Sequence, residues 1–187
     1  MSDFIYSKDT DNVVTITWDV KDKSMNVLTL EGIKSFNTCV DKALNDPTTT
    51  GIIINSGKKD FAGGMDLNVL QNMMSKSRAD FSTLAFKTIM DVHGILRKLE
   101  LAGRNEKTKT PAKPVVWACG GLSAGIGTEI ALACHHRIAD DDIRTKIGLP
   151  EILVGLFPFG GGTTRIMRML GAIGASSILL SLIHISE

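Results

Sequence analysis

Apolar and polar positions change period several times along the chain, and each change marks an element. Val13 to Trp18 reads Val-Val-Thr-Ile-Thr-Trp, an alternating, β-branched run that predicts a strand with one buried face. Asp19 to Ser24 is polar and turn-like. From Thr29 the apolar residues Leu30, Ile33, Phe36, Val40 and Leu44 keep a helical spacing, which stops at Asn45-Asp46-Pro47 because proline cannot continue the hydrogen-bond ladder. Gly51-Ile-Ile-Ile-Asn55 is a short continuous apolar run, the pattern of a strand covered on both faces in a parallel sheet. It opens into a glycine-rich loop, Ser56 to Asp66, followed by helical patterns at residues 66–76 and from Ala79 to Leu99.

Between Glu100 and Lys113 the chain turns polar and basic, as a surface connection does. Pro114 to Cys119 predicts another buried strand, and Gly120 to Gly127 a glycine-rich turn running into a helix that reaches Cys134. His135 to Ala139 predicts the next strand, the residues between Ile152 and Pro158 a short helical or irregular piece, and Thr163 to Leu170 a further helix. Strands alternating with helices argue for α/β layering, and 187 residues suit one domain without repeats.

Composition narrows the function classes. At 43% apolar and 22% charged residues the chain is globular in type. Lys and Arg (21) nearly cancel Asp and Glu (20), so no surplus charge is available for a nucleic-acid backbone, and no nucleic-acid partner is expected. Cys39, Cys119 and Cys134 lie singly in apolar stretches without metal or redox spacing, as buried thiols of a reducing compartment do. No membrane span or leader pattern is present, so a soluble, cytoplasmic protein is expected.

Candidate chemistry gathers at the two glycine turns. Gly63-Gly64 and Gly125-Ile126-Gly127 each lead into a helix, whose first N–H groups are unpaired and can receive a developing oxyanion. Glycines that merely permit close packing explain either turn equally well. Glu129 sits in the first turn of a helix with almost wholly apolar neighbours, so the fold carries a carboxylate inside. Glu151 follows Pro150, a natural helix start where an acid complements the dipole; paired with Glu129 it could straddle a substrate. Position 130 is Ile, not the third glycine of a dinucleotide fingerprint, and the Gly-Lys-Ser/Thr of a P-loop is absent. His135 and His136 are adjacent, face opposite ways in a strand, and make no metal site. Gly121-Leu-Ser123-Ala-Gly125 fits the Gly-x-Ser-x-Gly frame of a serine acyl-hydrolase, which stands as an alternative without a well-placed histidine.

Three ordered motifs resemble the enoyl-CoA hydratase/isomerase (crotonase) family. They are Phe61-Ala-Gly-Gly-Met-Asp66-Leu, the run Lys113-Pro-Val-Val-Trp-Ala-Cys-Gly-Gly-Leu-Ser-Ala-Gly-Ile-Gly-Thr-Glu129-Ile-Ala-Leu-Ala-Cys, and Gly148-Leu-Pro-Glu151 continuing through Pro158-Phe-Gly-Gly-Gly-Thr-Thr-Arg165. The polar insertion before Lys113 looks most like the hydratase part of multifunctional fatty-acid oxidation α subunits. Two positions depart from the pattern: Ile126 and Phe159 stand where the family has glycine.

The resemblance implies a ClpP/crotonase-type spiral of ββα units over residues 1–180, with the C-terminal helices incomplete and residues 181–187 an atypical, non-native tail. It implies addition of water across the 2,3-double bond of an acyl-CoA thioester in β-oxidation, with 3,2-isomerisation a companion reaction and a non-catalytic CoA-thioester binder or fragment the alternative. By motif position the oxyanion donors are the N–H groups of Gly63 and Ile126. Glu129 holds and deprotonates the water, while Glu151 gives the proton to C2. Ala62, Gly64, Met65, Asp66 and Leu67 lie along the CoA moiety, with Lys58 or Lys59 for its phosphates. No metal or other cofactor is implied, and the expected assembly is a trimer-type homo-oligomer or a fatty-acid oxidation complex.

Overall fold

A computed structural model describes residues 2–104 and 113–180. Its main sheet has the order β1-β2-β3-β4-β6, formed by Phe4–Lys8, Val13–Trp18, Gly51–Ser56, Val115–Cys119 and His136–Ala139. β1 runs antiparallel to β2 and the other pairs are parallel. A smaller parallel pair joins β5 (Leu122–Ala124) to β7 (Lys146–Gly148). The helices are α1 (Leu30–Asn45), α2 (Leu67–Met74), α3 (Arg78–Leu101), α4 (Ile126–Ala133) and α5 (Gly162–Leu180), with a 3₁₀ helix at Pro150–Val154.

The connectivity is a spiral. Each turn lays one strand in the main sheet and then a short extended segment in a second layer, before a helix begins. After β2 that segment ends at Leu28, after β3 it is Ala62 to Met65, after β4 it is β5, and after β6 it is β7. Neighbouring segments are stitched by the bridges Leu28 with Met65 and Ala62 with Ser123, and by the β5–β7 pair. A helix starts immediately beyond each segment, so successive helix N-termini gather on one side of the second layer.

Local chemistry explains the ends of these elements. Thr29 caps α1 by accepting the Gly32 N–H at 2.8 Å, and Asp66 caps α2 by accepting the Asn68 N–H at 2.9 Å. At the other end of α1, Lys113 Nζ reaches the Ala43, Leu44 and Asp46 carbonyls. The core between sheet and helices contains Trp18, Phe61 and Trp117, with ring centroids 5.9 and 5.0 Å apart in sequence order. All three cysteines are buried and free.

Several details differ from the sequence pattern. β1 was not expected, since an N-terminal edge strand of five residues has too little periodicity to stand out. β5 and β7, three residues each, hide inside the glycine turn and the acidic stretch. The last helix continues past Leu170 to Leu180 across a kink at Gly171 (φ 72°, ψ 176°), a conformation glycine adopts freely. Residues 181–187, read as an atypical tail, lie outside the described residues. Among the described residues no helix is long and apolar enough to cross a membrane.

Candidate active site

The second-layer turns converge on a cavity of about 250 Å³ lined by Gly63, Gly64, Met65, Gly125, Ile126 and Glu151 at its polar end. Leu67, Leu70, Leu153, Val154, Leu156 and Phe159 supply its apolar wall. One wall therefore comes from the loop after β3, one from the start of α4, and one from the 3₁₀ helix.

Which backbone N–H groups around this space are already paired follows from the bridge pattern. The Gly63 N–H donates to the Asn26 carbonyl at 2.8 Å, so it is not free to hold an oxyanion. An added Cβ at Gly63 would lie 2.5 Å from Met25 Sδ, so glycine here serves a close approach of two segments. At the next bridge, Leu28 N–H donates to Gly64 O and Asp66 N–H to Leu28 O, which turns the intervening Met65 N–H away from Leu28. It has no partner among the described residues. Of these two, the N–H without a partner is that of Met65, not that of Gly63. Sequence spacing names the loop but cannot give the phase of its bridge.

The second donor expectation meets no backbone obstacle. Ile126 opens α4, where N–H groups have no partner within the helix. The turn before it needs a positive φ, and Gly125 takes it (φ 57°), while Ile126 is not among the positive-φ residues. The branched side chain is thus unstrained, and it packs inward at 3% exposure.

Glu129 is fully enclosed in the first turn of α4, at 0% exposure. Its Oε1 accepts the Gly162 N–H at 2.7 Å and its Oε2 the Gly160 N–H at 3.0 Å. Burial raises its pKa, against the pull of those two N–H groups and the charges of Arg165 and His93. Glu151 differs. Its Oε2 is buried without a hydrogen-bond partner among the described residues, and its pKa is pushed up to about 7, first by burial and further by the charge of Glu129. Glu151 lines the cavity; Glu129 stands behind the Ile126 side chain and the glycine loop.

The remaining expected positions divide. Gly64, Met65 and Leu67 line the cavity. Ala62 is wholly buried, and Asp66 is spent on the α2 cap and on Lys23 Nζ at 2.6 Å, the Lys23 hydrogen bond being the main cause of its lowered pKa. Lys58 pairs with Asp19 at 2.8 Å, and neither Lys58 nor Lys59 lines the cavity. Ser123 is 0% exposed in β5, with its hydroxyl 3.5 Å from that of Thr128, so it cannot meet an acyl substrate and the serine-hydrolase alternative fails. Asn26, His93, Gly160 and Gly162 were not singled out, because their roles depend on partners distant in sequence. Asn26 could have been noticed only as a polar residue before an apolar pair.

The sequence pattern of the enoyl-CoA hydratase/isomerase family matches residues 8–186. The chain belongs to the enoyl-CoA hydratase/isomerase family. Among curated relatives, the fatty acid oxidation complex subunit alpha of Shewanella sp. strain W3-18-1 is 33% identical over 172 residues, 91% of this chain. The chain spans 22% of that relative's length. Among solved structures, an enoyl-CoA hydratase from Geobacillus kaustophilus HTA426 superimposes with a TM-score of 0.76 at 26% identity, covering 95% of this chain and 60% of the other. An enoyl-CoA hydratase from Thermoplasma volcanium GSS1 gives 0.79 at 23% identity, covering 96% and 64%. The crotonase-like spiral of the family is the fold found here.

Proposed function

We propose that this enoyl-CoA hydratase/isomerase homologue binds an acyl-CoA thioester and adds water across its 2,3-double bond, with Glu151 carrying the proton at C2. The observation that carries this reading is that Glu151, whose buried Oε2 has no hydrogen-bond partner among the described residues, lines one cavity together with Met65 and Ile126. Two backbone N–H donors stabilise the enolate oxygen that develops on the thioester carbonyl as C2 takes or loses its proton. A carboxyl whose pKa is about 7 is partly protonated at neutral pH and can work in either direction. In hydration Glu129 would deprotonate the water whose oxygen joins C3, while Glu151 delivers a proton to C2. The apolar wall from Leu67 to Phe159 suits an acyl chain. Exposed Ile152, Leu153, Val154 and Phe157 support an assembled state in which that wall is covered.

A second reading is favoured by the complete enclosure of Glu129. Moving a double bond from the 3,4 to the 2,3 position needs only one carboxylate, which takes a proton from C2 and returns it to C4. Glu151 alone satisfies that requirement.

The test pairs both reactions with both variants. Purified chain is assayed for hydration of 2-enoyl-CoA and isomerisation of 3-enoyl-CoA, beside Glu129→Gln and Glu151→Gln. Glu151→Gln is expected to lower both rates by about 100-fold or more, as loss of an acid–base group does. Glu129→Gln is expected to abolish hydration and spare isomerisation. Equal hydration by parent and Glu129→Gln would remove Glu129 from the hydration; isomerisation without hydration by the parent would leave only the one-carboxylate reading, and thioester binding without either turnover would leave a binder.

A further inference from the structure

The peptide group joining Phe159 to Gly160 has a partner on each side. Its N–H donates to Glu129 Oε2 at 3.0 Å, and its C=O accepts from His93 Nε2 on α3. A trans peptide is planar with C=O and N–H pointing in opposite directions, so whatever holds the carbonyl also aims the N–H. The Gly161–Gly162 peptide is arranged the same way: its N–H donates to Glu129 Oε1 at 2.7 Å, and its C=O accepts the Arg165 backbone N–H at 3.1 Å. Between them, the Gly160 carbonyl accepts Arg165 Nη1 at 2.6 Å, and Arg165 Nε is tied to Glu100 at 2.7 Å. Three consecutive glycines have no side chains to fix these planes, so outside anchors must do so. The Gly161–Gly162 peptide is anchored by backbone. The Phe159–Gly160 peptide depends on one side chain that is 66 residues away in sequence.

We propose that His93 is a positioning residue for Glu129: by donating Nε2–H to the Phe159 carbonyl it turns the Gly160 N–H onto Glu129 Oε2 and holds that carboxylate in its place behind the cavity. The proposal rests on Glu129 being a carboxylate of the proposed site, and it gives α3 a role there that the motifs did not carry. Because a carbonyl only accepts, Nε2 carries the proton whether the ring is neutral or charged. The charged or titratable groups facing Glu129 are His93 from α3, Arg165 from α5 and Glu151 from the 3₁₀ helix, with Glu100 of α3 behind Arg165.

The experiment titrates Glu129 directly in the whole chain carrying ¹³C-labelled glutamate, its carboxyl resonance assigned by its loss in Glu129→Gln. Parent, His93→Ala and His93→Gln are compared, since a glutamine amide can offer an N–H close to where Nε2 stands. His93→Ala is expected to raise the proton affinity of Glu129 by about tenfold or more, because a hydrogen bond to a charged group favours the ionised form. His93→Gln should return it to near the parent value. Turnover should follow, with kcat falling in the alanine variant, KM unchanged, and glutamine restoring kcat. If His93→Ala does not fold, His93→Asn, one methylene short of the carbonyl, takes its place with the same expectation. An unchanged Glu129 titration in the alanine or asparagine variant, or a glutamine variant that behaves like alanine, overturns the positioning role. A parent that shows the expected titrations but no turnover overturns the proposed hydration and leaves the positioning intact.

Discussion

Around Glu129 the chain is closed: both carboxylate oxygens accept backbone N–H groups, glycine replaces every side chain that would crowd them, and solvent is excluded. Around Glu151 it is open: one oxygen is bare, the side chain lines a cavity, and the 3₁₀ helix that carries it exposes Ile152, Leu153 and Val154. The same residue type is thus hydrogen-bonded on both oxygens in one region and left with an unpartnered oxygen in the other, and burial raises the pKa of both. Preformed amides stabilise the charged form, whereas desolvation without a partner stabilises the neutral one.

Crowding the closed region should have the largest effect on stability. A Cβ at Gly162 would lie 2.8 Å from Glu129 Oε1 and 3.2 Å from Leu149 Cδ1, and one at Gly160 would lie 2.8 Å from Oε2 and 3.0 Å from Ile126 Cδ1. Gly162→Ala and Gly160→Ala are each expected to destabilise the fold by about 1–3 kcal/mol in urea unfolding, as overpacking does. Gly148→Ala, with nothing within 4 Å of its Cβ, is the control. A Gly162→Ala chain as stable as the control would mean that the Glu129 enclosure is loose.

The open region should announce itself in the pH dependence of stability. Glu151 binds its proton more tightly folded than unfolded, with a pKa of about 7 against an ordinary 4.5. Between those values the folded state holds more protons, so the stability of the parent should fall as pH rises through that interval and then level off. Glu129, raised in the same direction, adds to the slope. Melting temperatures of parent and Glu151→Gln across the interval test this, with the flatter curve expected for the variant. Parallel curves would show that the Glu151 pocket is wetter than its bare oxygen suggests.

The smallest effect belongs to Ser123. Its 3.5 Å contact with Thr128 is long, so Ser123→Ala should cost less than about 1 kcal/mol and leave turnover unchanged. Loss of turnover in that folded variant would reopen the acyl-hydrolase chemistry that its burial closes.

How much was legible in the chain varied with the range of the interactions. β2, β3 and β4 and the helices α1 to α4 follow from period and punctuation, because side chains alternate with a fixed step in each element. Glu129 and Glu151 were legible as an acid in an apolar helix and an acid after proline. Gly63 shows where such reading stops: it and Met65 share one loop, yet the Gly63 N–H is paired with Asn26 while the Met65 N–H has no partner among the described residues. Lys58 has the charge to hold a phosphate, but Asp19 on a neighbouring strand end takes it.

The α/β layering, the family, the two glycine turns and the pair of glutamates are each written in local spacing or contiguous motifs. Tertiary structure decided which amides remain free, which carboxylate is held and which is bare, and that His93 lies behind the glycine loop. Those properties belong to pairs of groups brought together by the spiral, and a hydrogen bond between residues 66 apart leaves no periodic trace in either segment.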